Sequence, residues 1–340
     1  MATMADVARR AGVSVSTVSH VLNGTRFVRE STRDQVMAAI RDTGYTPNTI
    51  ARSLVTASTQ SLGLAISAIS NFYFTDLVSA IESSARAAGY TLLLADTHDD
   101  PEEELRVVRA LHQRRVDGVL LAPATGARGA TLRYLTELRV PAVLVDRCAS
   151  ARFDQIGTEN EPPTALLVRH LAERGHRRIA MIAGLAKLRT SVERIRGYRT
   201  GLRAAGLTHD PALEVNGGSH ADRAAPAVDR LLDLPDPPTA LVVGNNHMTI
   251  GAMRALRRRG VRVPDEMAVT SFDDFEWADT FVPRLTTIAQ PIHEIGAQAV
   301  GLLLDRLADP DRPPRTIRLP ATFMHRDSCG CGPESAPPPG

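Results

Sequence analysis

The sequence predicts a small all-α helix-turn-helix head followed by an α/β body of two lobes built on parallel sheets. Three observations carry that prediction. Short amphipathic stretches at the amino-terminal end are each closed by a glycine, at Gly12, Gly24 and Gly44. From about residue 59, short apolar runs alternate with amphipathic stretches, and the alternation restarts after residue 160. Charge is also uneven: residues 1–60 carry seven arginines (9, 10, 26, 29, 33, 41 and 52) against Asp6, Glu30, Asp34 and Asp42, an excess of three positive charges, while the whole chain is only +2.

In the head, Thr3 and Asp6 read as a capping-box-like start, with a hydroxyl for the first turn and an acid at the positive helix end. Val7, Ala8 and Ala11 form the apolar stripe of that helix, and Gly12 supplies the turn after it. Ser14 is an N-cap for a second helix that Asn23-Gly24 closes. Helical spacing turns Val18, Val21 and Leu22 to the core and leaves Val15, Ser16, Ser19 and His20 partly outward. Ser31 is the expected cap of a third helix, in which Val36 and Ile40 repeat at i and i+4, ending at Gly44. Two brief helices joined by a glycine turn suit insertion of one helix into a DNA major groove. The same pattern serves as an ordinary helical hairpin inside enzymes; a basic head on a near-neutral body is what phosphate binding needs, and it argues for nucleic acid.

In the body, Leu62–Ser67, Tyr90–Ala95, Gly118–Leu121 and Ala142–Val145 are apolar runs too short for buried helices, flanked by turn residues. Phe74–Ala88 and Glu102–Gln113 are amphipathic. Further strands fall near Arg178–Ile182, Ala240–Val243 and Met267–Ser271. Alternation of this kind implies parallel sheets covered on both faces. In such sheets ligands gather beyond the carboxyl ends of strands. That rule selects Ser70-Asn71-Phe72-Tyr73-Phe74, Asp146-Arg147, Asn245-Asn246 and Asp273-Asp274. Carboxylates, amides and an arginine around the aromatic faces of Tyr73 and Phe74 suit a small polyhydroxylated ligand. Trp277, the only tryptophan, is a further candidate for stacking on a sugar ring. Taken one by one these residues have plainer roles as well: Asp273-Asp274 as a helix cap, Arg194 as a partner of Glu193, and the aromatics as core.

Asp6-Val7-Ala8, Ala11-Gly12-Val13-Ser14, Thr17-Val18-Ser19 and Val21-Leu22-Asn23 resemble the DNA-binding head of the lactose-repressor/galactose-repressor family of bacterial transcription regulators. Tyr45, Pro47-Asn48, Ala51-Arg52 and Leu54 match that family's hinge helix. The resemblance continues through Val116-Asp117-Gly118, Asp146-Arg147, Gly175-His176-Arg177, Arg194, Gly197-Tyr198, Phe272-Asp273-Asp274, Leu285-Thr286-Thr287-Ile288, Gln290-Pro291 and Arg326-Asp327-Ser328. It implies a head over 1–46, a hinge over 47–58, a two-lobed periplasmic-binding-protein-like body over 59–330 for effector binding and dimerisation, and a disordered tail over 331–340. Strands near Thr286–Ala289 and Arg315–Leu319 are then expected to cross back between the lobes.

The resemblance implies a homodimeric repressor on a near-palindromic operator, with no cofactor and a cytoplasmic location. The helix from Ser14 is expected in the major groove, with Val15, Ser16 and His20 toward base edges, and Ser14, Thr17, Ser19 and Asn23 holding phosphates or capping the elements that do. Asn48, Ala51 and Leu54 belong to the hinge, Leu54 as a minor-groove wedge. Asp146, Arg194, Asn245 and Asp273 sit where the family's effector contacts lie. A sugar is the first expectation for the effector, a nucleobase or nucleoside the second. His20 replaces the family's usual arginine, Asn246 its aspartate and Phe72 its proline. A C-terminal coiled coil is not expected from the Pro-rich end.

Other classes fit less well. No nucleophile elbow, zinc-helix motif, P-loop or kinase signature is present. A secreted solute-binding protein shares the lobes but not the basic head, and the amino terminus has no signal-peptide-like apolar stretch. The three cysteines, Cys148, Cys329 and Cys331, make no disulfide framework. Asp96, His98, Asp99 and Asp100 precede Pro101 and read as an acidic helix start. His325, Cys329 and Cys331 lack an evident fourth metal ligand and read as flexible-end residues.

Overall fold

A computed structural model describes residues 2–24, 26–46, 58–67, 71–124 and 129–331, with the Asn23 side chain left out. The chain divides into two compact units, residues 1–59 and 60–340. The expected hinge residues Asn48, Ala51 and Leu54 lie outside the described residues.

Among its described residues the head has three helices whose ends are fixed locally. α1 (Met4–Ala11) opens with a capping box: Thr3 Oγ1 accepts from the Asp6 amide at 3.3 Å, and the Asp6 carboxylate accepts from the Thr3 amide at 2.9 Å. α2 (Val15–Asn23) opens on Ser14, whose hydroxyl accepts from the Thr17 amide at 3.1 Å. α3 (Glu30–Thr43) differs from expectation: Ser31 is not its cap. The N-cap is Arg29, two residues earlier, and Glu30 places an acid at the positive end of the dipole instead of a hydroxyl on the free amides. Gly12, Gly24 and Gly44 all end their helices in the left-handed conformation. Val7, Ala8, Val18, Val21, Val36 and Ala39 form the core of this unit.

Among the described residues the body carries two sheets of six strands each. The first lobe begins β1 (Ser61–Ile66), α4 (Phe72–Ala87), β2 (Thr91–Asp96), α5 (Pro101–Gln113), β3 (Gly118–Leu121), α6 (Ala130–Glu137), β4 (Ala142–Val145) and β5 (Asp154–Thr158). The second follows with α7 (Glu161–Glu173), β6 (Ile179–Ala183), α8 (Arg189–Ala204), β7 (Glu214–Asn216), α9 (Ala221–Leu232), β8 (Ala240–Val243), α10 (Asn246–Arg258), β9 (Ala268–Phe272) and β10 (Thr286–Ala289). The chain closes with α11 (Ile292–Ala308), β11 (Thr316–Leu319) and β12 (Thr322–Met324). The sheet orders are β11-β5-β4-β3-β1-β2 and β12-β10-β9-β8-β6-β7. All pairings are parallel except β12 on β10. Strands β3, β4 and β8 are buried at every position, as sheets covered by helices on both faces require.

The strands expected to cross back behave differently from each other. Thr286–Ala289 stays in the second sheet beside β9, and only β11 returns to the first. The chain therefore passes between lobes at three places: after β5, after β10 and between β11 and β12. Helix α11 goes with the first lobe, where Ile295, Ala299, Val300, Leu302 and Leu303 complete its core. Cys329 and Cys331, expected at a flexible end, are buried in the second-lobe core, because β12 and the turn after it pack back against α7. Among the described residues no helix is long and apolar enough to cross a membrane.

Candidate functional site

On the head, α2 buries Val18 and Val21 against α1 and α3, which fixes what its other face presents. Ser14, Val15 and Ser16 are exposed, Val15 at 46%, while Thr17, Ser19 and His20 are half-buried. Ser14, Ser16 and Thr17 share hydroxyl hydrogen bonds of 2.8 Å. The start of α2 is thus a hydroxyl-rich, solvent-facing helix end, and such an end suits groove and phosphate contacts. Asn23 closes the helix.

In the body, the carboxyl ends of the strands from both sheets converge on one interlobe cleft. Asp146 follows β4 and Asp273 follows β9, the fourth strand of each lobe, and both adopt left-handed backbone, with φ of 66° and 69°. Each aspartate is buried against partners of its own lobe. The Tyr73 hydroxyl donates to Asp146 Oδ1 at 2.8 Å, and burial beside Asp146 pushes that phenol well above its usual value. Arg147 donates to Asp99, to the Pro123 carbonyl at 2.9 Å and to Ser67 Oγ at 2.9 Å, with its guanidinium over the Phe74 ring. Burial alone would lower this guanidinium, but Asp99 and Asp146 outweigh it and hold it above its usual value.

Across the cleft, Arg194 donates from Nε to Asn160 Oδ1 at 2.9 Å and from Nη1 to the Gly244 carbonyl at 2.5 Å, and lies 3.7 Å over the Phe272 ring. Its Nη2 reaches Asp273 at 3.4 Å, and Gln290 donates to the same carboxylate at 2.6 Å. Burial pushes the Asp273 carboxyl up against the opposing pull of Arg194 and Gln290. Asn245 caps α10, accepting from the Met248 amide at 2.8 Å, while its amide donates to the Ser219 carbonyl at 3.3 Å.

These side chains bond so fully to one another that the cleft leaves only about 50 Å³ for water-sized occupants. Tyr73, Phe74, Asp146, Arg194, Asn245 and Asp273 all line it. Trp277 does not. It is 51% exposed and packs at 4.9 Å on Phe72 in a separate groove with His247, Ile250 and Phe281. The sequence reading missed Gln290, Ser191 and Asp99 as cleft residues. Asp100 does cap α5 as an acidic start, but its neighbour Asp99 serves the cleft through Arg147. Gly157 was missed too: a Cβ there would lie 2.5 Å from the Asp146 carbonyl oxygen, so only glycine lets β5 approach closely enough to seat that residue.

Residues 3–48 match the family described as bacterial regulatory proteins, lacI family, and residues 168–329 match the periplasmic binding protein-like domain. The HTH-type transcriptional repressor PurR of Vibrio atlanticus (strain LGP32) is 34% identical over 329 residues, 96% of this chain and 98% of the relative. That of Haemophilus influenzae (strain PittEE) is 34% identical over 311 residues, 92% and 93% of the two chains. A crystal structure of the lac repressor dimer bound to operator and the anti-inducer ONPF superposes with a TM-score of 0.87 at 29% identity, covering 96% of this chain and 99% of that one. A transcriptional regulator CelR–cellobiose complex reaches 0.74 at 31% identity, covering 96% and 100%. With a head of three capped helices and a two-lobed body that encloses a polar cleft, the chain belongs to the lacI family of bacterial regulatory proteins and is a DNA-binding transcriptional repressor.

Proposed function

We propose that this repressor works as a homodimer on a near-palindromic operator, and that a small carbohydrate in the interlobe cleft governs its hold on DNA. The observation that carries the effector reading is the cleft's composition. Two carboxylates, an arginine and two amides (Asp146, Asp273, Arg194, Asn245 and Gln290) converge there with Tyr73 and Phe74. Such a set can satisfy several hydroxyls at once, and the polar groups now bonded to each other exchange those bonds for the ligand's. The likeness to a regulator solved with cellobiose supports the same reading. A nucleobase or nucleoside is the second reading, favoured by 34% identity to repressors named PurR over nearly the full length.

A thermal-shift screen of sugars and purines separates the two, since a cleft ligand raises the melting temperature by mass action. We expect a shift from the sugar panel; a shift from purines alone transfers the assignment to the second reading, and no shift from either removes it. On DNA, Val15, Ser16 and His20 read base edges, while Ser14, Thr17, Ser19 and Asn23 position the helix. Asn48, Ala51 and Leu54 form the hinge, with Leu54 wedged between central base steps. Gel shifts with Leu54→Ala are expected to show weakened operator binding, and undiminished affinity would discard the wedge.

A further inference from the structure

The turn after β12 brings together a group that the repressor reading leaves without a role. His170 on α7 meets His325, Cys329 and Cys331, with one ligand atom from each lying within 4.8 Å of the others. The sequence offers His325, Cys329 and Cys331 in one short segment; the fold supplies the fourth residue from 161 positions away, with Cys331 Sγ 3.5 Å from His170 Nε2. We propose that His170, His325, Cys329 and Cys331 form a tetrahedral Cys₂His₂ site for a zinc-like divalent cation.

Geometry, orientation and polar satisfaction all bear on this. Zinc–sulfur and zinc–nitrogen bonds of about 2.3 and 2.0 Å give a tetrahedral S···N edge of about 3.5 Å, which the Cys331–His170 pair already has. The widest separation exceeds a tetrahedral edge by about 1 Å, within reach of side-chain rotation. Phe323 holds both rings in place: it stacks on His325 at 5.7 Å and meets His170 edge-on at 5.2 Å. The Nε2 atom of His325 is buried without a hydrogen-bond partner, an unmet polar group that ligation or reorientation toward the ion relieves. Two thiolates neutralise a divalent cation, so the occupied site adds no net charge to a largely buried pocket.

The ion's role is structural. It ties residues 325–331 to α7. This segment also carries Arg326, paired with Asp274, and Ser328, which donates to the Val269 carbonyl at 2.7 Å. Metal binding there adds to the stability of the second lobe.

Cobalt(II) titration of the full chain, freshly reduced and freed of metal, tests the assignment. We expect a single equivalent bound, with tetrahedral visible bands and thiolate-to-cobalt charge-transfer absorption, displaced by zinc. Cys148→Ser is expected to keep that spectrum, and Cys331→Ser and His325→Gln to lose it. Zinc should also raise the melting temperature of the unsubstituted protein, a readout that stands if either variant fails to fold. An octahedral spectrum, substoichiometric binding, charge-transfer absorption undiminished without Cys331, or a Cys329–Cys331 disulfide forming in place of metal uptake would overturn the site.

Discussion

Arg194 is the residue on which the second-lobe side of the cleft depends. Its guanidinium satisfies Asn160, the Gly244 carbonyl and Asp273 at once while lying on Phe272. Arg194→Met should therefore cost about 3–5 kcal/mol in urea unfolding, because it leaves a buried carboxylate without its cation. Asp273→Asn should cost less than half of that. The carboxyl is already pushed toward its neutral form by burial, and an amide oxygen still accepts from Gln290. Equal costs for the two variants would contradict this asymmetry. Both are expected to abolish the effector's thermal shift.

At the scale of elements, β5 decides where Asp146 sits. Gly157→Ala should destabilise the chain by about 1–3 kcal/mol and weaken the effector response, since the added methyl meets backbone that cannot swing aside. A variant with unchanged unfolding midpoint and response would remove Gly157 from that role. The same strand shows what is legible in a sequence. The head was legible to single residues, because caps and closing glycines act within a turn; only the start of α3 moved. Apolar strands such as Gly118–Leu121, Ala142–Val145 and Ala240–Val243 were legible from their runs. β5, β7 and β12 were not, because Asp154-Gln155-Ile156-Gly157-Thr158, Glu214-Val215-Asn216 and Thr322-Phe323-Met324 are short, polar-bearing sheet edges or crossings whose pairing is set elsewhere. The strand-end rule found Asp146, Asn245 and Asp273. It gave no sign of the Tyr73–Asp146 bond across 73 positions, nor that Trp277 packs on Phe72 outside the cleft.

Across the whole body, one ion-pair cluster bridges the crossings. Arg318 on β11 of the first lobe donates two hydrogen bonds to Glu193 on α8 of the second, at 3.0 and 2.8 Å, and Asn160 donates to the same carboxylate at 3.0 Å. Burial alone would raise the Glu193 carboxyl, but Arg318 and Arg189 outweigh it and hold it below its usual value. A depressed acid stabilises the fold above its unfolded pKa of about 4.3 and loses that contribution as pH falls through the lower folded value. Glu193→Gln should therefore unfold at a midpoint less sensitive to pH in that acidic window, measured by urea titration from neutral pH downward. An unchanged slope would show that this carboxylate is not linked to folding. The triple passage of the chain also constrains any attempt to dissect the protein genetically. Neither lobe is a contiguous stretch: the first needs α11 and β11, and the second takes β12 as its outer strand. A truncation before residue 292 strips both halves together, and a chimera that exchanges one lobe with a relative must splice at all three passages to keep its hydrophobic interior whole.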